Sequence, residues 1–278
     1  MGLIILVIIV VLLSLLHFTR QYIKRKVESS TIELNPELEE KTLLAQKKGI
    51  LRLEIESGKH KLWANWLENG KDSPSVVIYH GNGESLSDWV EAQLLLRDLG
   101  FNSFVFDYTG FGSSEGKPSV DILNQNAISA WNYFCEISSV NSARIAIGHS
   151  LGAAILFGSA LHFKPKPDRL IVHAPFSTAK EIAVHFGTAK KSWVWMMPDV
   201  WNNIKNIKKI SNQIPIDIFH SKADQKIPFI MSEKISAHNG SSRVHIMDEF
   251  GHNAVYEDPQ IGFWKKILYS DQINIERK

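Results

Sequence analysis

The reading of this chain turns on Arg144-Ile145-Ala146-Ile147-Gly148-His149-Ser150-Leu151-Gly152-Ala153-Ala154-Ile155. A short apolar run, 144–147, leads straight into a serine framed by two glycines, and an apolar helical run, 151–163, leads straight out. A strand that becomes a helix within one tight turn leaves the residue at the turn strained and exposed, and the glycines give it room. Outward from this turn the chain keeps alternating. Upstream, 51–57 and 62–68 predict a hairpin around Gly58, and 75–79 and 104–108 are continuous apolar runs of the kind a strand covered on both faces shows. Between them 85–99 carries apolar residues at helical spacing and stops at Gly100, and 120–134 is helical. Downstream, 170–173, 216–219 and 243–247 read as strands, and 255–269 closes as an amphipathic helix. The expected class is α/β, a mostly parallel sheet covered by helices on both faces. Ligands and chemistry then gather in the loops beyond the carboxyl ends of the strands.

Composition narrows the functional classes. Among 278 residues, 44% are hydrophobic and 22% charged, which suits a globular body with a sizeable core. Lys and Arg number 31 against 29 Asp and Glu, and the body carries no basic block, so a dedicated nucleic-acid binder is not expected. The single cysteine, Cys135, excludes an intrachain disulfide framework and a cysteine-built metal site. Gly110-Phe-Gly112-Ser-Ser-Glu-Gly116-Lys117 imitates a phosphate loop, but its flanking glycines are one residue too far apart and Pro118 stands where a magnesium-binding hydroxyl belongs. A dinucleotide fingerprint fails there as well, at Glu115, and the scattered histidines suggest no metal site.

The first eighteen residues are nearly all Leu, Ile and Val. As a helix they would reach about 27 Å, enough for a thin hydrocarbon layer. A cleaved signal peptide would want a charged start and a small-x-small cleavage site, and a core helix would want a polar face; none is present. Position 6 is leucine, which does not suit myristoylation of Gly2. Residues 1–18 are therefore expected to be an uncleaved membrane anchor, 19–49 a charged, partly helical connector, and 50–278 the folded body. Arg20, Lys24, Arg25 and Lys26 follow the span, a bias that places the body on the cytoplasmic side.

A serine hydroxyl becomes a nucleophile only beside an oriented base. In sheets entered through such a turn, the partners follow in the order Ser, acid, His. Asp217 and His245 lie inside expected strands, whereas Asp224 and His252 follow those strands in loops, so Ser150, Asp224 and His252 are the expected triad, with Asp248 as the fallback acid. The oxyanion needs two donors. The backbone N–H of Leu151 is one, and the N–H of Asn82, in the loop His80-Gly81-Asn82-Gly83-Glu84, is the other.

With these motifs together, His80-Gly81-Asn82-Gly83, 107–116, Gly148–Gly152, Asp224 and Gly251-His252-Asn253, the chain resembles the α/β-hydrolase superfamily over about 50–268. Within it, the chain is similar to small, often membrane-anchored abhydrolase-domain proteins of the serine-aminopeptidase-like branch. The resemblance implies an eight-stranded sheet, a Ser-His-Asp triad, no cofactor, and acyl-ester, thioester or amide substrates. Thr109 stands where relatives commonly carry Arg, and Ser221 where they carry Gly, departures that bear on substrate preference. A cap is expected at about 177–213, holding His185, Phe186, Trp193, Trp195, Met196, Met197 and Trp201. Such side chains suit an acyl chain, or simply glue the cap to the core. The leading expectation is a membrane-tethered serine esterase or thioesterase acting on a small-molecule or lipid acyl substrate. An aminopeptidase or amidase would need acids in the cap, where Glu181 and Asp199 are the two present. The third reading is an inactive hydrolase fold used for protein binding.

Overall fold

In a computed structural model, which describes residues 2–210, 213–248 and 250–273, the strands form one eight-stranded sheet. They are β1 Leu51–Ser57, β2 His60–Leu67, β3 Ser75–Tyr79, β4 Asn102–Phe106, β5 Arg144–His149, β6 Arg169–His173, β7 Ile216–His220 and β8 Ser242–Ile246. Their order is β1-β2-β4-β3-β5-β6-β7-β8. The β1–β2 hairpin and the β2–β4 pair are antiparallel, and every other neighbouring pair is parallel. The helices described are α1 Gly2–Thr31, α2 Glu39–Lys47, α3 Val90–Asp98, α4 Val120–Ile137, α5 Leu151–Ser159, α6 Ala179–His185, α7 Asn203–Ile210, α8 Ile230–Ser236 and α9 Ile261–Ile273.

Strand residues alternate between two cores. In β3, Val77 and Tyr79 join the cluster that contains α4, α5, α7 and α8, while Val76 and Ile78 join the cluster of α3 and α9. Burial on both faces explains why these strands read as unbroken apolar runs. Helix α5 is buried along almost its whole length, between the sheet and its neighbours.

Several elements differ from expectation. The strand expected at 104–108 begins and ends two residues earlier, at Asn102 and Phe106, and just beyond it the Asp107 carboxylate accepts the Leu86 N–H at 2.7 Å. The last helix starts at Ile261, not at 255: Asp258 precedes Pro259, and a residue before proline is kept out of helical geometry. Residues 253–257 instead form turns, with the Tyr256 N–H on the Asn253 carbonyl at 3.0 Å. At the amino terminus, α1 runs unbroken past Phe18 to Thr31. Within it, Ile5–Arg25 is long and apolar enough to cross a membrane, and none of that stretch is buried. Gln21 to Arg25 are mostly sound helix formers, so nothing stops the helix at the end of the apolar run.

Candidate active site

Ser150 sits between β5 and α5 with φ 52° and ψ −112°. A side-chain-bearing residue at positive φ costs roughly 1–3 kcal/mol and persists only where its surroundings hold it. Here the Ser150 N–H donates to the His173 carbonyl at 2.9 Å. The flanking glycines are dictated by space: a Cβ on Gly152 would lie 1.9 Å from the Tyr79 carbonyl oxygen, and one on Gly148 would lie 2.8 Å from Ala153 Cα.

The loop after β7 brings Asp224 to the loop after β8. His252 Nδ1 donates to Asp224 Oδ2 at 2.6 Å. Facing a carboxylate, Nδ1 must hold the proton, which leaves Nε2 of the neutral ring as an acceptor. Asp224 also accepts the N–H groups of Lys226 and Ile227 through Oδ1, at 2.8 and 2.9 Å. A second histidine, His220, reaches Asp224 Oδ2 with Nε2 at 3.1 Å and the Ile227 carbonyl at 3.0 Å. Both neighbours accept, so Nε2 carries the His220 proton, and its Nδ1 accepts from the Ser232 hydroxyl at 2.7 Å. Burial opposes ionisation of Asp224, but the hydrogen bonds from His220 and His252 outweigh it and lower the pKa. For His252, burial prevails over the pull of Asp224 and lowers the pKa below the ordinary 6.5, so the ring is neutral at neutral pH. Asp248 does not touch His252; it accepts the Lys222 N–H at 3.0 Å.

Ser150 and His252 line one cavity of about 440 Å³, together with Asn82 and Leu151. No hydrogen bond joins Ser150 to His252 among the described residues. Leu151 is the first residue of α5, where an N–H has no partner within its own helix. The loop around Asn82 is shaped by Glu84, whose Oε2 accepts the Gly81 N–H at 2.8 Å and the Trp89 indole N–H at 3.0 Å. Burial pushes the Glu84 pKa up, but His149, with Nε2 3.3 Å from Oε1, and His80 prevail and lower it. His149 in turn meets His173 through their Nδ1 atoms at 3.0 Å, and its ring lies 4.9 Å from that of His252. Among the described residues no three His, Cys, Asp or Glu side chains converge as metal ligands.

The stretch after α1 is built into this site. Glu33 donates its N–H to Asn82 Oδ1 at 2.9 Å, and its carbonyl accepts the Gly83 N–H at 3.1 Å. Asn35 O accepts the Gly112 N–H at 3.1 Å, and the Leu38 N–H donates to Ser87 Oγ at 3.0 Å. Glu33 and Lys226 place one charge of each sign on the cavity wall. Over the cavity, Phe176, Ile182 and Trp201 supply apolar lining. The two acids of the cap are engaged elsewhere: Glu181 with Ser177 and Lys234, and Asp199 with Lys205 and with Asn202. Thr109 is wholly buried, its N–H on Asn126 Oδ1 at 2.8 Å, and Ser221 accepts the Ala223 N–H; neither lines the cavity.

Sequence reasoning missed Glu33, Glu84 and His220. His220 carried a usable signal, a titratable group at the end of β7 beside the chosen acid loop, and Glu84 lies within the loop chosen for the oxyanion donor. Glu33 carried none, since its partner is 49 residues away.

Comparison with known proteins agrees with this architecture. Residues 70–212 match the family described as serine aminopeptidase, S33. An uncharacterised Mycobacterium tuberculosis protein is 30% identical over 197 residues, covering 69% of this chain and 66% of its own. Lysophosphatidylserine lipase ABHD12 of Gallus gallus is 27% identical over 237 residues, covering 72% of this chain and 61% of its own. The chain thus spans between about half and two thirds of the curated relatives it matches. Among solved structures, the Pyrococcus furiosus esterase Pf2001 superposes with a TM-score of 0.65 at 16% identity, over 86% of this chain and 97% of that one.

Proposed function

We propose that this chain, which belongs to the serine aminopeptidase S33 family of the α/β-hydrolase superfamily, is a membrane-tethered serine hydrolase that cleaves carboxylic esters or thioesters. The observation that carries this reading is that His252, hydrogen-bonded to Asp224, lines one cavity with a strained Ser150. In this mechanism His252 Nε2 takes the Ser150 proton as Oγ attacks the acyl carbon. The oxyanion is received by the N–H groups of Asn82 and Leu151. His252 then returns the proton to the departing alcohol or thiol as the C–O or C–S bond breaks. Water, deprotonated by the same ring, releases the acid and restores Ser150. Asp224 keeps the imidazole in the required tautomer throughout.

The apolar wall of Phe176, Ile182 and Trp201 suits an acyl chain, and Glu33 with Lys226 suits a polar head group at the mouth. The name of the chicken relative, a lysophosphatidylserine lipase, supports a lipid ester. An amidase reading is weaker, because both cap acids are held by lysines. The helix at Ile5–Arg25 supplies the tether, and Arg20, Lys24, Arg25 and Lys26 favour a cytoplasmic body. A fluorophosphonate probe is expected to label the full-length protein in the carbonate-resistant membrane fraction and to lose its site in Ser150→Ala. Labelling that survives this change would overturn the nucleophile, and release by carbonate would overturn the tether.

A further inference from the structure

The aromatic side chains of the cap divide into two sets. Met197 and Trp201 are buried, as glue would be, whereas Phe186, Trp193 and Trp195 are 57%, 64% and 67% exposed. The exposed set belongs to the segment that joins α6 to α7, folded by turns in which the Trp193 N–H meets the Lys190 carbonyl and the Met196 N–H meets the Trp193 carbonyl. Its two ends, Phe186 and Trp201, both line the cavity, and the exposed indoles lie on the segment between them. Lys190 and Lys191 are exposed in the same segment, and among the described residues neither forms an ion pair. The nearest acid along the chain, Asp199, is held by Lys205.

Large rings left in water on a monomer mark a contact surface, and this one has the chemistry of a bilayer boundary. Indole presents an apolar body with one N–H donor and settles at head-group depth, and lysines add attraction to anionic lipid of about 1 kcal/mol each. A second observation fixes the occupant. The stretch leaving the membrane-length helix is hydrogen-bonded to the loop across the same cavity, with Glu33 in its wall. The stretch that leaves the helix and the start of the exposed aromatic segment, Glu33 and Phe186, thus line one cavity.

We propose that segment 186–195 docks into the head-group layer of an anionic bilayer and seats the cavity mouth against it, so that an acyl substrate enters from the lipid. This rests on the reading of the chain as a membrane-tethered hydrolase. The test uses full-length protein in phosphatidylcholine vesicles with and without phosphatidylserine. Brominated phosphatidylcholine should quench tryptophan emission in the wild type, and the quenched fraction should fall in Trp193→Ser/Trp195→Ser. That variant should lose about tenfold in kcat/KM on an ester embedded in the vesicles while keeping its rate on a short water-soluble ester. Lys190→Glu/Lys191→Glu should remove the preference for phosphatidylserine vesicles on the embedded ester. Unchanged quenching, or equal losses on embedded and soluble esters, would overturn the proposal. So would a wild-type dimer that the tryptophan variant converts to monomer, which would assign the surface to a second copy. A wild type inert on the soluble ester would instead refute the hydrolase reading, with quenching still reporting on the surface.

Discussion

Asp217 with His245, and Asp224 with His252, form two pairs with the same 28-residue separation and the same 2.6 Å hydrogen bond. Their companions differ. Asp217 lies inside β7 and is gripped by Arg169 Nε at 2.6 Å from β6 and by Arg243 Nε at 2.9 Å from β8. Burial would raise its pKa, but His245 and the arginines overcome this and hold it at about 2. His245 stacks on Phe219, so the pair serves to lock three strands side by side. The second pair lies seven residues further on in both strand-loop units, past the carboxyl edge of the sheet. No arginine touches Asp224 among the described residues; its partners are His220, His252 and backbone N–H groups. A carboxylate already neutralised by fixed cations can only brace the fold. One whose charge is shared with imidazoles can stabilise a ring that gains and loses a proton.

Substitutions can break this contrast. The largest effect is expected at the rings: His252→Ala should lower kcat about 10⁶-fold, as Ser150→Ala should, if the proposed triad acts as a unit. His245→Ala should leave kcat within about twofold, since it only removes a prop. Pre-steady-state acylation by a nitrophenyl ester reads both, and an equal collapse in the two variants would erase the distinction.

The acids should separate more subtly. Asp224→Asn is expected to cost about 10⁴ in kcat by favouring the wrong tautomer, with the unfolding midpoint little changed. Asp217→Asn should instead keep kcat and lose about 3–5 kcal/mol of stability, because two arginines are left without their buried partner. Urea titrations run beside the rate measurements distinguish these outcomes; a catalytic loss at Asp217 would join the two pairs into one system.

The smallest effect is in pH. Because burial holds the His252 pKa below 6.5, kcat/KM should be level through neutral pH and fall on acidification with a midpoint below 6.5, where the ring becomes protonated and can no longer accept the Ser150 proton. His245→Gln should not move that midpoint. A midpoint at or above the ordinary value would contradict the buried, neutral ring.

Much of this was legible along the chain. The strand rule that set Asp224 and His252 apart from Asp217 and His245 rests on a simple geometry: side chains within a sheet covered on both faces are held in its interior, whereas loops beyond the strands carry side chains to the edge. Apolar spacing predicts a helix from 255, but backbone sterics at Pro259 outweigh periodicity, and the helix begins at Ile261. Glu33 was out of reach as a cavity residue, since nothing local marks a residue whose partner is brought in by folding.

The strand–Ser150–helix turn, the parallel sheet and the apolar first helix are written locally along the chain, because each depends on neighbours a few residues apart: steric room at Gly148 and Gly152, burial on two faces, and length. Long-range packing is what brings Glu33, Asn82, Ser150 and His252 to one cavity, and what makes Trp201 core while Trp193 and Trp195 face outward. All three tryptophans lie in one short apolar stretch of the same composition. What separates them is which side chains fold back over them, and those contacts come from distant parts of the chain.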